Sequence, residues 1–262
     1  MNAIVSQQQH VADGLWIVRV KPDSGEVPEF VAGQYAELGF PQDALDGSQC
    51  PPDSEKRKIV RRAYSIASAP SDRAGLEFFI VRVDEGQLTP KLYGLDVGDR
   101  VWLGPKIKGK FTLEEIPRDK NLIMVSTGTG LAPYVSMLRE YGANPPWKRF
   151  VVIHGVRNSH DLGYREELEQ AAKSDPRVIY IPSVTREPEG SNWSGLRGRV
   201  NTLLEPEAFE RIAGFELSPE DCHVFLCGNP DMITSVQESL EARGFSKHSK
   251  RSPGNIHFER YW

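Results

Sequence analysis

Two patterns of hydrophobic and polar residues divide this chain. Up to about residue 115 the apolar positions fall in short, alternating runs, as in strands that bury only one face. Beyond it, continuous apolar runs alternate with segments of helical periodicity, as in parallel sheets covered by crossover helices. The pattern predicts a two-domain β plus α/β chain, with an N-terminal antiparallel β-barrel over 1–115 and a C-terminal parallel-sheet α/β domain over 116–262.

The individual elements follow from the same patterns. In the first domain, turn residues separate short strands at 11–21, 34–40, 60–70, 76–83 and 99–104. A long polar loop with three prolines occupies 41–58. In the second domain the pattern predicts strands at 121–126, 150–154, 178–182 and 222–227, and helices at 132–141, 164–173 and 231–243.

The strand at 60–70 carries an unusual set of side chains. Because side chains alternate along a strand, Arg62, Tyr64 and Ile66 share one face and Ser65 points to the other. An arginine can fork onto a phosphate, and a tyrosine can lie against a flat ring. This face therefore suits a ligand with an anionic tail and an aromatic ring. The alternative is an ordinary half-exposed barrel strand.

A glycine-rich turn leaves the strand at 121–126 and opens the helix at 132–141. It reads Thr127-Gly128-Thr129-Gly130, and Pro133 stands near the place of the usual third glycine. Glycines let a backbone approach a phosphate closely, and a helix N-terminus presents free N–H groups. The turn predicts a nucleotide pyrophosphate site, against the alternative of a plain tight turn.

Arginines follow the predicted strand at 178–182. Thr185 and Arg186 come first, and Arg197 and Arg199 lie further along. NADP sites use arginine for the ribose 2′-phosphate, whereas NAD sites use an acidic residue for the 2′-hydroxyl. The cluster favours NADP, and a solvated loop with scattered arginines is the alternative.

Two shorter motifs complete the candidates. Cys227 ends an apolar strand before Gly228, so its thiol could pack against a nicotinamide, although most free cysteines are simply buried. A small anion nest could form around four consecutive residues: Gly86, Gln87, Leu88 and Thr89. The alternative for that segment is a turn in which Thr89 caps a helix.

Composition narrows the class of protein. The 262 residues are 39% hydrophobic and 26% charged, which is typical of a globular protein with real cores. The net charge of −4 argues against a nucleic-acid binder, and no apolar run reaches membrane-spanning length. Three cysteines cannot supply the four ligands of an iron–sulfur cluster, and no metal site is expected. Without a secretory signal pattern, a cytoplasmic location is expected.

In their order along the chain, these motifs resemble the ferredoxin/flavodoxin–NADP+ reductases of the bacterial type. The resemblance implies that Arg62-Ala63-Tyr64-Ser65 is the flavin motif. In that motif Arg62 meets the FAD pyrophosphate, Tyr64 meets the isoalloxazine and ribityl chain, and Ser65 lies near flavin N5. Further FAD contacts are implied for residues 86–89, for Val81 and for the terminal aromatic residues Tyr261 and Trp262.

The same resemblance implies the NADP(H) site and the catalytic residues. The residues implied to bind NADP(H) are Thr127, Gly128, Thr129, Gly130, Arg157, Thr185, Arg186, Arg199, Asn229, Asp231 and Met232. The implied catalytic residues are Ser65, Cys227 and Glu259, with Cys227 positioning the nicotinamide. Residues 42–58, which include Cys50, are expanded relative to the family.

The implied activity is that of an FAD-dependent ferredoxin or flavodoxin–NADP+ reductase. A hydride passes between NADPH and flavin N5, and single electrons then pass to a small acidic carrier, a ferredoxin or a flavodoxin. The expected protein is a monomer that binds neither nucleic acid nor membrane. A basic surface for the carrier is predicted from Lys56, Arg57, Lys58, Arg61, Lys106, Lys108 and Lys110.

Three alternatives stay open from the sequence. An NAD(P)H-dependent reductase component of an oxygenase system has the same fold and a different acceptor. An NADH-using relative would lack a need for Arg186 and Arg199. A non-catalytic flavin-binding subunit or sensor would not be reduced by NADPH.

Overall fold

The computed structural model describes residues 1–46 and 58–260, and its contacts divide the chain into two compact units, Met1–Thr112 and Leu113–Trp262. The described strands form two six-stranded sheets, one in each unit. The sheet of the first unit is antiparallel and that of the second is parallel. The predicted fold class, β followed by α/β, is therefore confirmed.

The first unit is built from six strands and two short helices. The strands are β1 (Ala3–Ala12), β2 (Leu15–Pro22), β3 (Tyr35–Pro41), β4 (Ile59–Ser65), β5 (Leu76–Val81) and β6 (Arg100–Leu103), and the helices are α1 (Gln42–Asp46) and α2 (Thr89–Tyr93). The strand order is β4-β3-β6-β1-β2-β5. A bridge between Ile66 and Phe78, with the Ala67 N–H donating to the Glu77 carbonyl at 2.7 Å, joins the two edge strands. The sheet thus closes on itself as a barrel, which removes its open edges.

Several parts of the first unit differ from the sequence prediction. The strand predicted at 11–21 contains the turn between β1 and β2, and the strand predicted at 60–70 ends at Ser65. β1 was not predicted, because its middle is a run of three glutamines that hides the alternation, yet it pairs along β2 from end to end. In the predicted loop, β3 continues to Pro41 and α1 follows it, because the N–H of Gln42 donates to the Lys58 carbonyl at 2.9 Å. Residues 47–57, including Cys50, lie outside the described residues.

The second unit is built from six strands and five helices of the described chain. The strands are β7 (Asn121–Thr127), β8 (Arg149–Val156), β9 (Val178–Val184), β10 (Leu196–Arg197), β11 (Cys222–Gly228) and β12 (Ile256–Arg260), and the helices are α3 (Ala132–Tyr141), α4 (Arg165–Ser174), α5 (Val200–Leu203), α6 (Pro206–Ala213) and α7 (Pro230–Glu241). Seven predicted elements of this unit are confirmed to within a few residues: the strands β7, β8, β9 and β11 and the helices α3, α4 and α7.

The strand order β10-β9-β8-β7-β11-β12 places the site. From β7 the chain proceeds through β8 and β9 to one edge, and then returns to β11 on the other side of β7. Sheets of this kind bind ligands beyond the carboxyl ends of the strands where the order reverses. The reversal point here lies between β7 and β11.

β10 and β12 are the strands of the second unit that the sequence did not reveal. The predicted C-terminal tail is a strand as far as Arg260, because its backbone pairs in parallel with β11 from Ile256 onward. β10 has only two residues, too few to show a period. Among the described helices, none combines the length and the apolar composition needed to cross a bilayer.

Candidate functional site

The glycine-rich turn after β7 and the loop after β11 are packed directly against each other. A Cβ on Gly130 would lie 2.3 Å from the Cys227 carbonyl oxygen, and one on Gly228 would lie 2.4 Å from the Thr127 hydroxyl oxygen. The N–H of Asn229 donates to the Thr127 hydroxyl at 2.9 Å. One glycine from each loop, Gly130 and Gly228, therefore allows the two loops at the reversal point to touch, which is a packing role.

Gly128 has a different environment. Its φ of +54° lies in the left-handed region, and no atom lies within 4 Å of where its Cβ would be. The turn continues as one 3₁₀ segment, Gly128–Leu131, before α3 begins with Pro133 in its first turn. The open space in front of this turn is therefore beside Gly128, where a phosphate could approach the backbone.

His154 supports this turn from below, and sequence reasoning missed it. It is fully buried in β8, and its Nε2 lies 3.1 Å from the Gly128 carbonyl oxygen. Burial lowers the pKa of His154 to about 4, so the ring is neutral at pH 7. A carbonyl can only accept, so Nε2 carries the proton, and Nδ1 accepts from the Tyr180 hydroxyl at 3.5 Å. The signal that could have revealed it is the presence of a histidine in an otherwise apolar strand.

Three arginines project from the carboxyl ends of neighbouring strands. Arg157 follows β8, Arg186 follows β9 and Arg199 follows β10, and all three are exposed. The N–H of Arg186 donates to the Arg157 carbonyl at 2.7 Å, so these two backbones are adjacent. No acidic side chain of the described residues pairs with any of the three guanidinium groups. Unneutralised arginines at one sheet edge are suited to a phosphate dianion.

Two polar side chains of this edge are used for structure. The Thr185 hydroxyl donates to the Val156 carbonyl at 3.2 Å. The Arg197 guanidinium donates to the carbonyls of Glu187 at 2.8 Å and Pro188 at 3.4 Å. Arg197 is thus already bonded, which leaves Arg157, Arg186 and Arg199, called here the clamp arginines, as candidates for the 2′-phosphate. Contacts of a nucleotide with these arginines and with Thr185 stay predictions.

The loop after β11 is organised by Asn229. Its side chain caps α7 by accepting from the N–H groups of Asp231 at 2.8 Å and Met232 at 3.2 Å. Met232 is buried in the core of the unit, whereas Asp231 is exposed. Cofactor contacts from these three residues stay predictions, and the cap gives Asn229 a structural role in addition.

Cys227 and Glu259 are neighbours on adjacent strands. The parallel pairing of β11 and β12 puts them in register, and on β7 Ser126 is in register with Cys227. Residues in register on parallel strands point to the same face. Cys227 is fully buried and Glu259 is half-buried. Two of the three residues predicted to be catalytic are thus neighbours, Cys227 buried and Glu259 half-buried, and their catalytic roles stay predictions.

In the first unit, β4 places Arg62 and Tyr64 as predicted. Arg62 is opposite Leu38 and Tyr64 is opposite Ala36, so both belong to the face that carries the barrel core. Arg62 is exposed, and it donates to the Arg61 carbonyl at 2.9 Å. The face therefore combines a solvent-exposed cation with a half-buried ring.

The Tyr64 hydroxyl indicates that this face takes a ligand. Its oxygen is buried and has no hydrogen-bond partner among the described residues, while the ring packs edge-on against Phe78 with centroids 6.5 Å apart. Burial raises the pKa of Tyr64, so it stays protonated. Leaving a buried hydroxyl unpaired is costly, and a ligand chain with hydroxyls would satisfy it. The residues present fit the ribityl chain and ring of a flavin.

The other flavin candidates of the barrel lie close by in sequence. Ser65 ends β4 and is buried, whereas Ala63 is exposed on the strand face opposite to Tyr64. Val81 ends β5 and is 38% exposed, which is unusual for a valine in a barrel strand. Their contacts with a flavin stay predictions.

The 86–89 segment forms a closed turn. The Thr89 hydroxyl accepts from the Val83 N–H at 2.9 Å and donates to the Val83 carbonyl at 3.2 Å. The N-cap of α2 is Leu88, so the alternative in which Thr89 caps the helix is wrong. The backbone N–H groups of Gln87 and Leu88 have no partner among the described residues. The nest suggested by the sequence can therefore come from these amides and not from the hydroxyl.

Some predicted residues cannot be placed. Tyr261 and Trp262 lie outside the described residues, as do Lys56 and Arg57 of the basic surface. Within residues 1–46 and 58–260, no group of three or more histidine, cysteine or acidic side chains is arranged to hold a metal ion.

Comparison with known proteins supplies the family. A family model described as an oxidoreductase NAD-binding domain matches residues 124–238. A flavodoxin/ferredoxin–NADP reductase of Buchnera aphidicola is 37% identical over 237 residues, which cover 90% of this chain and 89% of the relative. The flavodoxin/ferredoxin–NADP reductase of Escherichia coli is 34% identical over 98% of this chain and 97% of its own.

A solved structure agrees with these relatives. A ferredoxin NADP+ reductase from Neisseria gonorrhoeae, described with bound FAD and NADP, superposes with a TM-score of 0.84 at 27% identity, covering all of this chain and 98% of that one. The order of the motifs, the two sheets and these matches have one explanation. The chain belongs to the flavodoxin/ferredoxin–NADP reductase family.

Proposed function

We propose that this protein is an FAD-dependent ferredoxin or flavodoxin–NADP+ reductase. The observation that carries the proposal is the group Arg157, Arg186 and Arg199, which meets at one sheet edge without acidic partners among the described residues. Its place beyond the carboxyl ends of the strands suits the 2′-phosphate of NADP(H). Membership of the family provides the second, independent support.

The barrel would hold FAD. Arg62 would fork onto its pyrophosphate, the Tyr64 ring would lie against the isoalloxazine, and the orphaned Tyr64 hydroxyl would bond the ribityl chain. Ser65 would stand near N5, and the amides of Gln87 and Leu88 would meet phosphate oxygens. When bound, the flavin supplies the conversion between hydride transfer and single-electron transfer.

The parallel-sheet unit would bind and orient NADPH. The turn at Gly128 would receive the pyrophosphate, because the space in front of it is open. The three arginines would hold the 2′-phosphate through charge-assisted bonds, which are about twice as strong as neutral ones. Cys227 and Glu259, in register on β11 and β12, would fix the orientation of the nicotinamide.

The carrier would be an acidic ferredoxin or flavodoxin. Arg61 and Lys108 are 53% and 44% exposed, and both approach the carboxylate of Glu37, at 3.5 Å and 3.4 Å. Glu37 thus removes part of the positive charge predicted for this surface. We expect docking to weaken as salt concentration rises, since exposed charges are screened beyond about 8 Å at physiological ionic strength.

An anaerobic titration of the FAD-loaded protein tests the proposal. The flavin absorbance is followed while NADPH or NADH is added. Rapid bleaching by NADPH and poor bleaching by NADH are expected. A protein that takes up no FAD, or whose flavin neither nucleotide reduces, would contradict the proposal and favour a non-catalytic role. Arg186→Ala is a useful companion variant. Because it removes one guanidinium from the proposed phosphate site, the rates of flavin reduction by NADPH and by NADH should become more similar.

A further inference from the structure

One acidic side chain lies next to the arginines proposed to bind the 2′-phosphate. Glu187 directly follows Arg186, where a free carboxylate would repel a phosphate dianion and could accept from the ribose 2′-hydroxyl of NADH. Its contacts in this structure direct it elsewhere. Both carboxylate oxygens are taken by Ser159 of the neighbouring loop.

The contact between Glu187 and Ser159 is bidentate. The Ser159 N–H donates to one carboxylate oxygen at 2.6 Å, and the Ser159 hydroxyl donates to the other at 2.9 Å. The Ser159 N–H, with smaller help from its hydroxyl, the Ser191 side chain and the charge of Arg197, holds the pKa of Glu187 below its usual range. The acid is therefore ionised at neutral pH and directed at backbone, not at the arginines.

The same residue is anchored from its other side. Arg197 of β10 donates to the Glu187 carbonyl at 2.8 Å. Glu187 is thus joined to the loop after β8 through its side chain and to β10 through its backbone. Each clamp arginine is one or two residues away from a member of this network: Arg157 from Ser159, Arg186 from Glu187, and Arg199 from Arg197.

We propose that Glu187 is a positioning residue that determines the preference for NADP(H) over NAD(H). By binding Ser159 it fixes the loops that carry Arg157 and Arg186, and it removes its own carboxylate from the nucleotide. The inference rests on the proposed function and adds to it a specificity determinant that touches no ligand.

The test compares steady-state KM values for NADPH and NADH in the FAD-loaded protein. Glu187→Ala should raise the KM for NADPH about tenfold, a modest result for losing two hydrogen bonds to a charged acceptor. It should leave the KM for NADH and both kcat values within about twofold. Glu187→Gln keeps an acceptor for the Ser159 N–H and should lie near the parent protein.

Glu189→Ala is the matched control, because Glu189 is an exposed acid two residues further along the same loop. Simple electrostatics predicts that removing either acid improves NADPH binding, whereas the proposal predicts opposite effects for the two. Ser159→Ala gives a second variant if Glu187→Ala does not fold, and the double variant should be less than additive.

Two results would overturn the inference. One is that folded Glu187→Ala keeps the parental KM for both nucleotides, and the other is that both KM values rise by the same factor, which would indicate general disruption. Failure of the proposed function is separate, because the parent protein itself would then show no reduction by NADPH.

Discussion

At the scale of single residues, the structure assigns His154 a role that its surroundings make specific. A buried neutral imidazole joins the Tyr180 hydroxyl of β9 to the Gly128 carbonyl of the glycine-rich turn. The ring gives the Gly128 carbonyl a donor from inside the neighbouring strand, and removing the ring would remove that hydrogen bond. The orientation of the turn is thus maintained from the strand beside it.

We expect His154→Leu to raise the KM for NADPH and for NADH alike, about tenfold, since both nucleotides carry the pyrophosphate. His154→Gln, whose amide can donate from nearly the same place, should restore most of the affinity. The measurement is the pair of KM values with the flavin content held equal. A folded His154→Leu protein with parental KM values would show that the turn needs no support from this ring.

Single residues that look alike in the sequence have different contacts in the structure. Arg197 and Arg199 look equivalent in the sequence, but Arg197 donates hydrogen bonds to two backbone carbonyls. Arg199 projects from the same edge without an acidic partner among the described residues. The difference depends on where the loop after β9 folds back, which no local pattern encodes.

At the scale of elements, the contact between the turn after β7 and the end of β11 is the critical one. Gly130 and Gly228 allow it, whereas the Cβ position of Gly128 on the same turn faces open space. Three glycines of similar appearance thus divide into two that allow close packing and one that borders the space proposed for the nucleotide.

Gly130→Ala and Gly128→Asn should separate these roles. The alanine Cβ would meet the backbone of Cys227 and Gly228 at 2.3–2.8 Å, so we expect a loss of stability at the upper end of the about 1–3 kcal/mol typical of overpacking. Asparagine tolerates the left-handed conformation, so Gly128→Asn should keep its stability while its side chain blocks the nucleotide. Urea unfolding and the KM for NADPH give the two readouts.

The element-scale prediction fails if Gly130→Ala unfolds at the parental urea concentration. It also fails if Gly128→Asn binds NADPH normally, because the open space would then not be the place of the nucleotide.

At the scale of the whole molecule, one buried histidine and two half-buried ones couple stability to pH. Burial lowers the pKa of His154 and His223 to about 4 and that of His257 to about 3. His223 and His257 share a hydrogen bond of 3.0 Å between β11 and β12. All three rings are neutral in the folded chain, while the unfolded chain takes up protons below about pH 6.5.

The contribution of these histidines to the free energy of unfolding should therefore be complete above about pH 6.5 and should decrease as the pH falls toward 4. The slope is at most about 1.4 kcal/mol per pH unit for each histidine. Urea unfolding at pH 7.5, 6 and 5 measures it, and His257→Asn should flatten the dependence. Exposed His160→Asn is the matched control, and an equal slope in parent and His257→Asn would contradict the assignment.

The sequence by itself determined the class of fold and the order of the motifs. Alternation in the first half and apolar runs with helical periods in the second are local properties, and each strand and helix responds to them directly. The sequence also predicted the chemistry that Arg62, Tyr64, Arg186 and Arg199 can provide, because charge and ring type are properties of the single residue.

Only the tertiary structure decided which residues meet. The pairing of β12 with β11, the support of Gly128 by His154 and the contact of Glu187 with Ser159 join positions that are between 26 and 32 residues apart or belong to different strands. Such contacts depend on strand order and register, which are properties of the folded sheet. That is why the sequence pointed to the candidate arginines and to the segment Thr185-Arg186-Glu187, but showed neither the contact of Glu187 with Ser159 nor the support of Gly128 by His154.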